Sequence, residues 1–271
     1  MLPTTDIASD TSNPGSRISL RGVSLEVRGN GDPVFLMHGI GGNASSCGAL
    51  AHLLSKSGYR TFCWDAPGYG ESADPHGPVD HPGLVLQILA TLGLGPAHLI
   101  GTSWGGVIAT QAAAQAPEAV RSLVLADSTR GSAVSADAAE RMLARVAELV
   151  DLGPAAFADR RAPRLVSPSA DASQAAAVRS GMAAVRLAGY SAAAAMMAAS
   201  DTTDLLPSLQ VPSFVLVGED DVVTGVDEAR ILAESITNAS FEIIPGAGHA
   251  AVQEKPAAIA SSIVEFWKGL S

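Results

Sequence analysis

Short apolar runs alternate with segments of helical periodicity along most of this 271-residue chain. The run Pro33–Met37 precedes a segment that places Leu50 and Leu54 at helical spacing, and the run Tyr59–Trp64 precedes a second such segment near residues 85–92. This alternation is typical of parallel strands joined by helices that cover both faces of the sheet. The sequence therefore predicts an α/β fold with a mostly parallel sheet.

The alternation is interrupted between residues 131 and 206. This Ala-rich stretch has helical patterns over residues 138–149 and 175–188, and the strand pattern resumes at Ser213–Val217. We therefore predict an all-helical insertion at 131–206 that divides a core made of residues 16–130 and 207–271. Residues 1–15 are polar and rich in small side chains, and we expect a flexible tail there.

Charge and cysteine content restrict the possible partners. The chain has 17 Lys plus Arg against 27 Asp plus Glu, a net charge of −10, so its surface repels nucleic acids and anionic membranes. Cys47 and Cys63 have neither disulfide nor metal-ligand spacing. The first residues lack the basic and apolar regions of a signal peptide, so we do not expect one there. We expect a cytoplasmic monomer or homodimer that acts on a small molecule, with no nucleic-acid or membrane partner.

A candidate nucleophile lies in Gly101-Thr102-Ser103-Trp104-Gly105. The pattern Gly-x-Ser-x-Gly forms a sharp strand-to-helix turn that exposes the serine hydroxyl, and the glycines remove Cβ clashes. The pentapeptide follows an apolar strand and precedes an apolar helix, as such a turn requires. We predict Ser103 as the nucleophile.

A serine nucleophile needs a base, and the base needs an acid to orient it. His249 follows the last predicted strand within a Gly-rich loop. The other candidates are less suitable: His52 lies on a predicted helix, His76 and His81 in a polar loop, and His98 at a strand start. The acid is predicted as Asp221, at the end of the preceding strand, with Asp127 as the rival.

The loop His38-Gly39-Ile40-Gly41 follows the first long buried strand. The backbone N–H groups of Ile40 and Trp104 are the expected donors to an oxyanion. His38 is interpreted as a structural hydrogen-bonding residue that holds this loop.

These motifs, together with Asp65–Ser72, resemble the α/β-hydrolase superfamily from about Ser16 to the end of the chain. The similarity is to small capped serine hydrolases. It implies an α/β-hydrolase fold with an eight-stranded sheet, a helical cap after the sixth strand and an acyl-enzyme mechanism without a cofactor or metal. The segment 75–84 is short and rich in Pro and Gly, which leaves the length of the second helix open.

The resemblance favours hydrolysis of a small carboxylic ester or lactone. Hydrolysis of a carbon–carbon bond in an aromatic ring-cleavage product is the alternative, but it needs cations for a carboxylate, and Arg130, Arg179 and Arg186 are only candidates. A receptor-like protein with vestigial activity is a third hypothesis. We expect Met182, Tyr190 and Met196 of the cap to contact short to medium apolar acyl groups.

Overall fold

A computed structural model describes residues 15–270, and the predicted tail lies almost wholly outside them. The core is one eight-stranded sheet. The strands are β1 (Ser16–Leu20), β2 (Val23–Arg28), β3 (Asp32–Met37), β4 (Tyr59–Asp65), β5 (Ala97–Thr102), β6 (Val120–Ala126), β7 (Ser213–Gly218) and β8 (Ser240–Ile244).

The strands are arranged in the order β1-β2-β4-β3-β5-β6-β7-β8. Strand β2 is antiparallel to both β1 and β4, and every other neighbouring pair is parallel. The predicted eight-stranded, mostly parallel sheet is confirmed. Because β3, β5, β6 and β7 are parallel neighbours, the loops after them all meet at one edge of the sheet.

The helices are α1 (Gly48–Lys56), α2 (His81–Thr91), α3 (Trp104–Gln115), α4 (Ala136–Arg161), α5 (Ala172–Ala183), α6 (Leu187–Ala199), α7 (Gly225–Ser235), α8 (Ala251–Glu254) and α9 (Pro256–Lys268). Both faces of the central strands are buried. In β3, Phe35 and Met37 join one apolar cluster, while Val34 and Leu36 join the other. This follows from the alternation of side chains along a strand.

Helix α2 begins earlier than its apolar pattern indicates. The Asp80 side chain accepts a hydrogen bond from the Gly83 amide and caps the helix N-terminus. His81 is consequently the first helical residue and is buried against Trp104, with ring centroids 5.0 Å apart. Its assignment to a polar loop was therefore wrong.

Helices α4, α5 and α6 lie between β6 and β7 in the chain, within the segment 131–206, which we call the cap segment. Helix α4 continues past its predicted end, with a kink at Gly153, whose φ is 71°. The predicted helix over 175–188 is instead divided between α5 and α6. Arg186 is extended at the break, and its guanidinium donates to Asp74 and to the carbonyls of Gly70 and Ser72.

The cap segment is in close contact with the core. A Cβ atom on Gly189 of α6 would lie 2.4 Å from the carbonyl oxygen of Gly68, so the backbones touch there. At the base of the segment, Ser132 N–H donates to Met197 O at 2.9 Å, and Thr202 N–H donates to Arg130 O at 2.8 Å. These bonds join the two ends of the segment.

In residues 15–270, no single helix has the length and apolar character needed to cross a bilayer. Helices α5 and α6 meet those criteria only as a pair, and they are bent by 95° relative to each other.

Candidate active site

Ser103 is at a sharp turn between β5 and α3. Its φ is 53° and its ψ is −116°, a conformation that costs a non-glycine residue on the order of 1–3 kcal/mol. A Cβ atom on Gly101 would lie 2.3 Å from the carbonyl oxygen of Gly105, and one on Gly105 would lie 2.3 Å from that of Met37. The two glycines are thus required by close backbone approach, and the serine occupies the strained position between them.

His249 and Asp221 are brought together by the loops after β8 and β7. The Nδ1 atom of His249 lies 2.9 Å from Oδ2 of Asp221, and both side chains are almost fully buried. Asp221 also accepts hydrogen bonds from the Thr224 hydroxyl at 2.6 Å and the Val223 amide at 2.7 Å.

The environment of Asp221 favours its charged form. Burial opposes ionisation, but the hydrogen bond and charge of His249, with the bonds from Thr224 and Val223, outweigh it and lower the pKa of Asp221 to about 2. An ionised carboxylate can only accept, so Nδ1 of His249 carries the proton. In the neutral ring, Nε2 is then the atom that can accept a proton.

Ser103 and His249 line the same cavity, whose volume is about 350 Å³. Among the hydrogen bonds of residues 15–270, none joins the Ser103 hydroxyl to the His249 ring. Bonds of this kind often tighten only when substrate is present. The role of each residue in catalysis stays a prediction.

Asp127 lies after the neighbouring strand β6 and faces a different partner. Its Oδ1 accepts the Gly218 amide at 2.8 Å, and it makes no hydrogen bond to His249 within the described chain. Complete burial, followed by the negative charge of Asp221, raises the pKa of Asp127 well above its usual value. Asp127 is thus placed to support the end of β7, from which the Asp221 loop departs.

The backbone N–H groups of Ile40 and Trp104 are available at the cavity. Both residues line it, and neither amide donates to another group in the described part of the chain. His38 holds the loop: its Nε2 accepts the Ala66 amide at 3.1 Å, so its Nδ1 donates to Gly39 O at 2.8 Å. Burial lowers the pKa of His38 to about 4, which keeps the ring neutral.

Two of the three cap residues predicted to contact substrate line the cavity, namely Met182 and Tyr190. Met196 does not. Its sulfur instead accepts the indole N–H of Trp104 at 3.2 Å, and the next residue, Met197, lines the cavity. Adjacent residues of a helix point about 100° apart, so the Ala-rich sequence of α6 left the choice between these two methionines undetermined.

The cavity also contains cations that the sequence analysis did not identify. None of the three suggested arginines lines it, and each pairs with a carboxylate. These pairs are Arg130–Glu228 at 3.0 Å, Arg179–Asp159 at 2.5 Å and Arg186–Asp74 at 2.7 Å. The lining instead contains Arg141, Arg145, Arg161 and Arg164. The i, i+4 spacing of Arg141 and Arg145 could have indicated this cluster from the sequence, since it places both arginines on one helix face.

Within residues 15–270, no three His, Cys, Asp or Glu side chains converge as a metal site. The absence of a cofactor stays a prediction.

Residues 32–256 match the sequence profile of the alpha/beta hydrolase fold, and the chain belongs to that family. It is 29% identical to a poly(3-hydroxyalkanoate) depolymerase from Ectopseudomonas oleovorans, over 86% of this chain and 83% of the relative. Among solved structures, a thermophilic esterase from Thermogutta terrifontis with malate bound is 28% identical, with a TM-score of 0.85 and coverage of 95% and 99%. An enol-lactonase from Burkholderia xenovorans LB400 is 25% identical, with a TM-score of 0.82 and coverage of 93% and 100%. These relatives support a hydrolase function.

Proposed function

We propose that the protein is a serine hydrolase that cleaves a small carboxylic ester or lactone. The observation that carries this proposal is the hydrogen bond between His249 and Asp221 beside a cavity that Ser103 also lines. The names of the relatives agree with it, since an esterase, a depolymerase and an enol-lactonase are among them.

This arrangement supports the following mechanism. The Ser103 oxygen attacks the carbonyl carbon while Nε2 of His249 takes the hydroxyl proton, and the imidazolium is stabilised by Asp221. The amides of Ile40 and Trp104 donate to the oxyanion. The intermediate then collapses and His249 protonates the departing alkoxide. Water, deprotonated by His249, attacks the acyl-enzyme, and His249 returns the proton to the Ser103 oxygen as the carboxylic acid departs.

Turnover of p-nitrophenyl acetate tests this proposal. We expect the purified protein to release p-nitrophenol with repeated turnover, and Ser103→Ala to lower kcat by a factor on the order of 10⁴ to 10⁶. Circular dichroism would show that the variant is folded. More than a tenth of the activity in Ser103→Ala would remove Ser103 from the mechanism, and a folded wild type without turnover would favour the receptor-like hypothesis.

A second candidate is hydrolysis of a carbon–carbon bond next to a ketone. The observation that favours it is the presence of arginines in the cavity, because such ring-cleavage products carry a dienoate carboxylate. The absorbance of these ring-cleavage products decreases when the carbon–carbon bond breaks, so this reaction can be followed separately from ester hydrolysis. A higher kcat/KM for a dienoate than for esters with the same carboxylate would select this candidate.

A further inference from the structure

The four arginines of the cavity come from two parts of the cap segment. Arg141 and Arg145 lie one turn apart in the first half of α4, and Arg161 and Arg164 lie at and just after its end. The kink at Gly153 turns the helix, so that Arg161 Nε donates to Glu148 at 2.9 Å across the bend. This fold-back places both arginine pairs on one cavity.

Of these arginines, three have no carboxylate partner in residues 15–270, namely Arg141, Arg145 and Arg164. Arg145 is partly buried, and burial together with Arg161 and Arg164 lowers its pKa, which Tyr190 only partly offsets. A partly desolvated cation beside two like charges is unfavourable unless an anion neutralises it.

Among the residues that line the cavity, Glu228 has the one acidic side chain. It is already engaged, because it accepts hydrogen bonds from the Arg130 backbone and side chain. The lining therefore presents uncompensated positive charge in a chain whose net charge is −10. Such local concentration of one sign attracts an oppositely charged ligand into a cleft.

We propose that Arg145, assisted by Arg141 and Arg164, binds a carboxylate carried by the non-reacting end of the substrate. This inference rests on the proposed function, because it assigns the substrate class of the same site: esters, lactones or ketones that bear a second, anionic group. The guanidinium binds a carboxylate through parallel N–H donors, which also orients the reacting carbonyl toward Ser103.

Binding to the Ser103→Ala variant tests this inference without turnover. Monomethyl adipate and methyl hexanoate differ only in a terminal carboxylate against a methyl group, and calorimetry gives a Kd for each. We expect monomethyl adipate to bind at least about 10-fold more tightly, and Arg145→Gln to weaken it by about 10-fold to 100-fold while methyl hexanoate changes little. Arg145→Lys should give an intermediate Kd, since it keeps the charge and loses the paired donors.

Arg179→Gln is the matched control. It removes the same charge from the exposed surface of α5, outside the cavity, and should change either Kd by less than about 2-fold. Equal binding of the two esters, or equal losses of affinity in Arg145→Gln and Arg179→Gln, would overturn the inference.

Arg164→Gln provides the same comparison if Arg145→Gln does not fold, because Arg164 is exposed and makes no ion pair in the described chain. If the protein binds monomethyl adipate more tightly than methyl hexanoate but wild type does not turn over p-nitrophenyl acetate, the proposed function is contradicted and the carboxylate site is not.

Discussion

The carboxylate of Asp221 lies 2.9 Å from Nδ1 of His249, whereas that of Asp127, at the end of the neighbouring strand, accepts the amide of Gly218. Two acids from adjacent strand ends thus have different partners. Asp221 orients the His249 imidazole, which reaches the cavity, and Asp127 holds the backbone from which the Asp221 loop extends.

This difference predicts unequal effects of the two Asp→Asn substitutions on activity. Asp221→Asn offers His249 the wrong hydrogen-bond partner and should lower kcat for p-nitrophenyl acetate by a factor on the order of 10³ to 10⁴. Asp127→Asn keeps an oxygen for the Gly218 amide and should change kcat little. The matched variants are compared in one steady-state assay, and reversed effects would identify Asp127 as the acid.

The raised pKa of Asp127 predicts a pH-dependent stability difference. In the unfolded chain Asp127 ionises at about pH 4, but in the folded protein burial keeps its proton to higher pH. The folded state therefore binds more protons above about pH 4, and this group makes wild type less stable as the pH rises. Asparagine does not titrate, so Asp127→Asn should gain stability relative to wild type between about pH 5 and about pH 8 in urea unfolding. If the difference in unfolding free energy between wild type and Asp127→Asn does not change with pH, Asp127 is ionised in the folded protein.

The close approach of Gly189 to Gly68 predicts that added bulk will separate the cap segment from the core. Gly189→Ala places a Cβ atom 2.4 Å from a carbonyl oxygen and should lower the free energy of unfolding by roughly 1–3 kcal/mol. Gly181→Ala, on α5, is the control because its Cβ would meet nothing closer than 3.7 Å. That substitution should be neutral or stabilising by up to about 1 kcal/mol. Similar unfolding midpoints for both variants would contradict the contact.

The positions of the cap methionines predict which of them control acyl-chain preference. Met182 and Met197 line the cavity, whereas the sulfur of Met196 faces the Trp104 indole. In a chain-length series of p-nitrophenyl esters, Met182→Ala and Met197→Ala should change relative kcat/KM values by roughly 10-fold to 200-fold. Met196→Ala should give a profile parallel to that of wild type. Parallel profiles in all three variants would mean that these side chains do not contact the acyl chain.

The parts of the fold that depend on local pattern could be predicted from sequence. Strand alternation gave the parallel sheet, and the Gly-x-Ser-x-Gly pattern gave the turn at Ser103, because both arise from neighbouring residues. The break between α5 and α6 could not be predicted, since Arg186 is held by Asp74 and by distant carbonyls. The arginines of the cavity were missed for the same reason: the fold-back at Gly153 unites residues that the sequence separates.

The central claim, that Ser103 is the nucleophile, is tested most directly by locating a fluorophosphonate adduct. Wild type is treated with the probe, residual p-nitrophenyl acetate hydrolysis is measured, and peptides are mapped by mass spectrometry. We predict a single adduct per chain on Ser103, with activity falling in proportion to labelling. Loss of activity with the adduct on another residue, or full activity after complete labelling of Ser103, would contradict the claim.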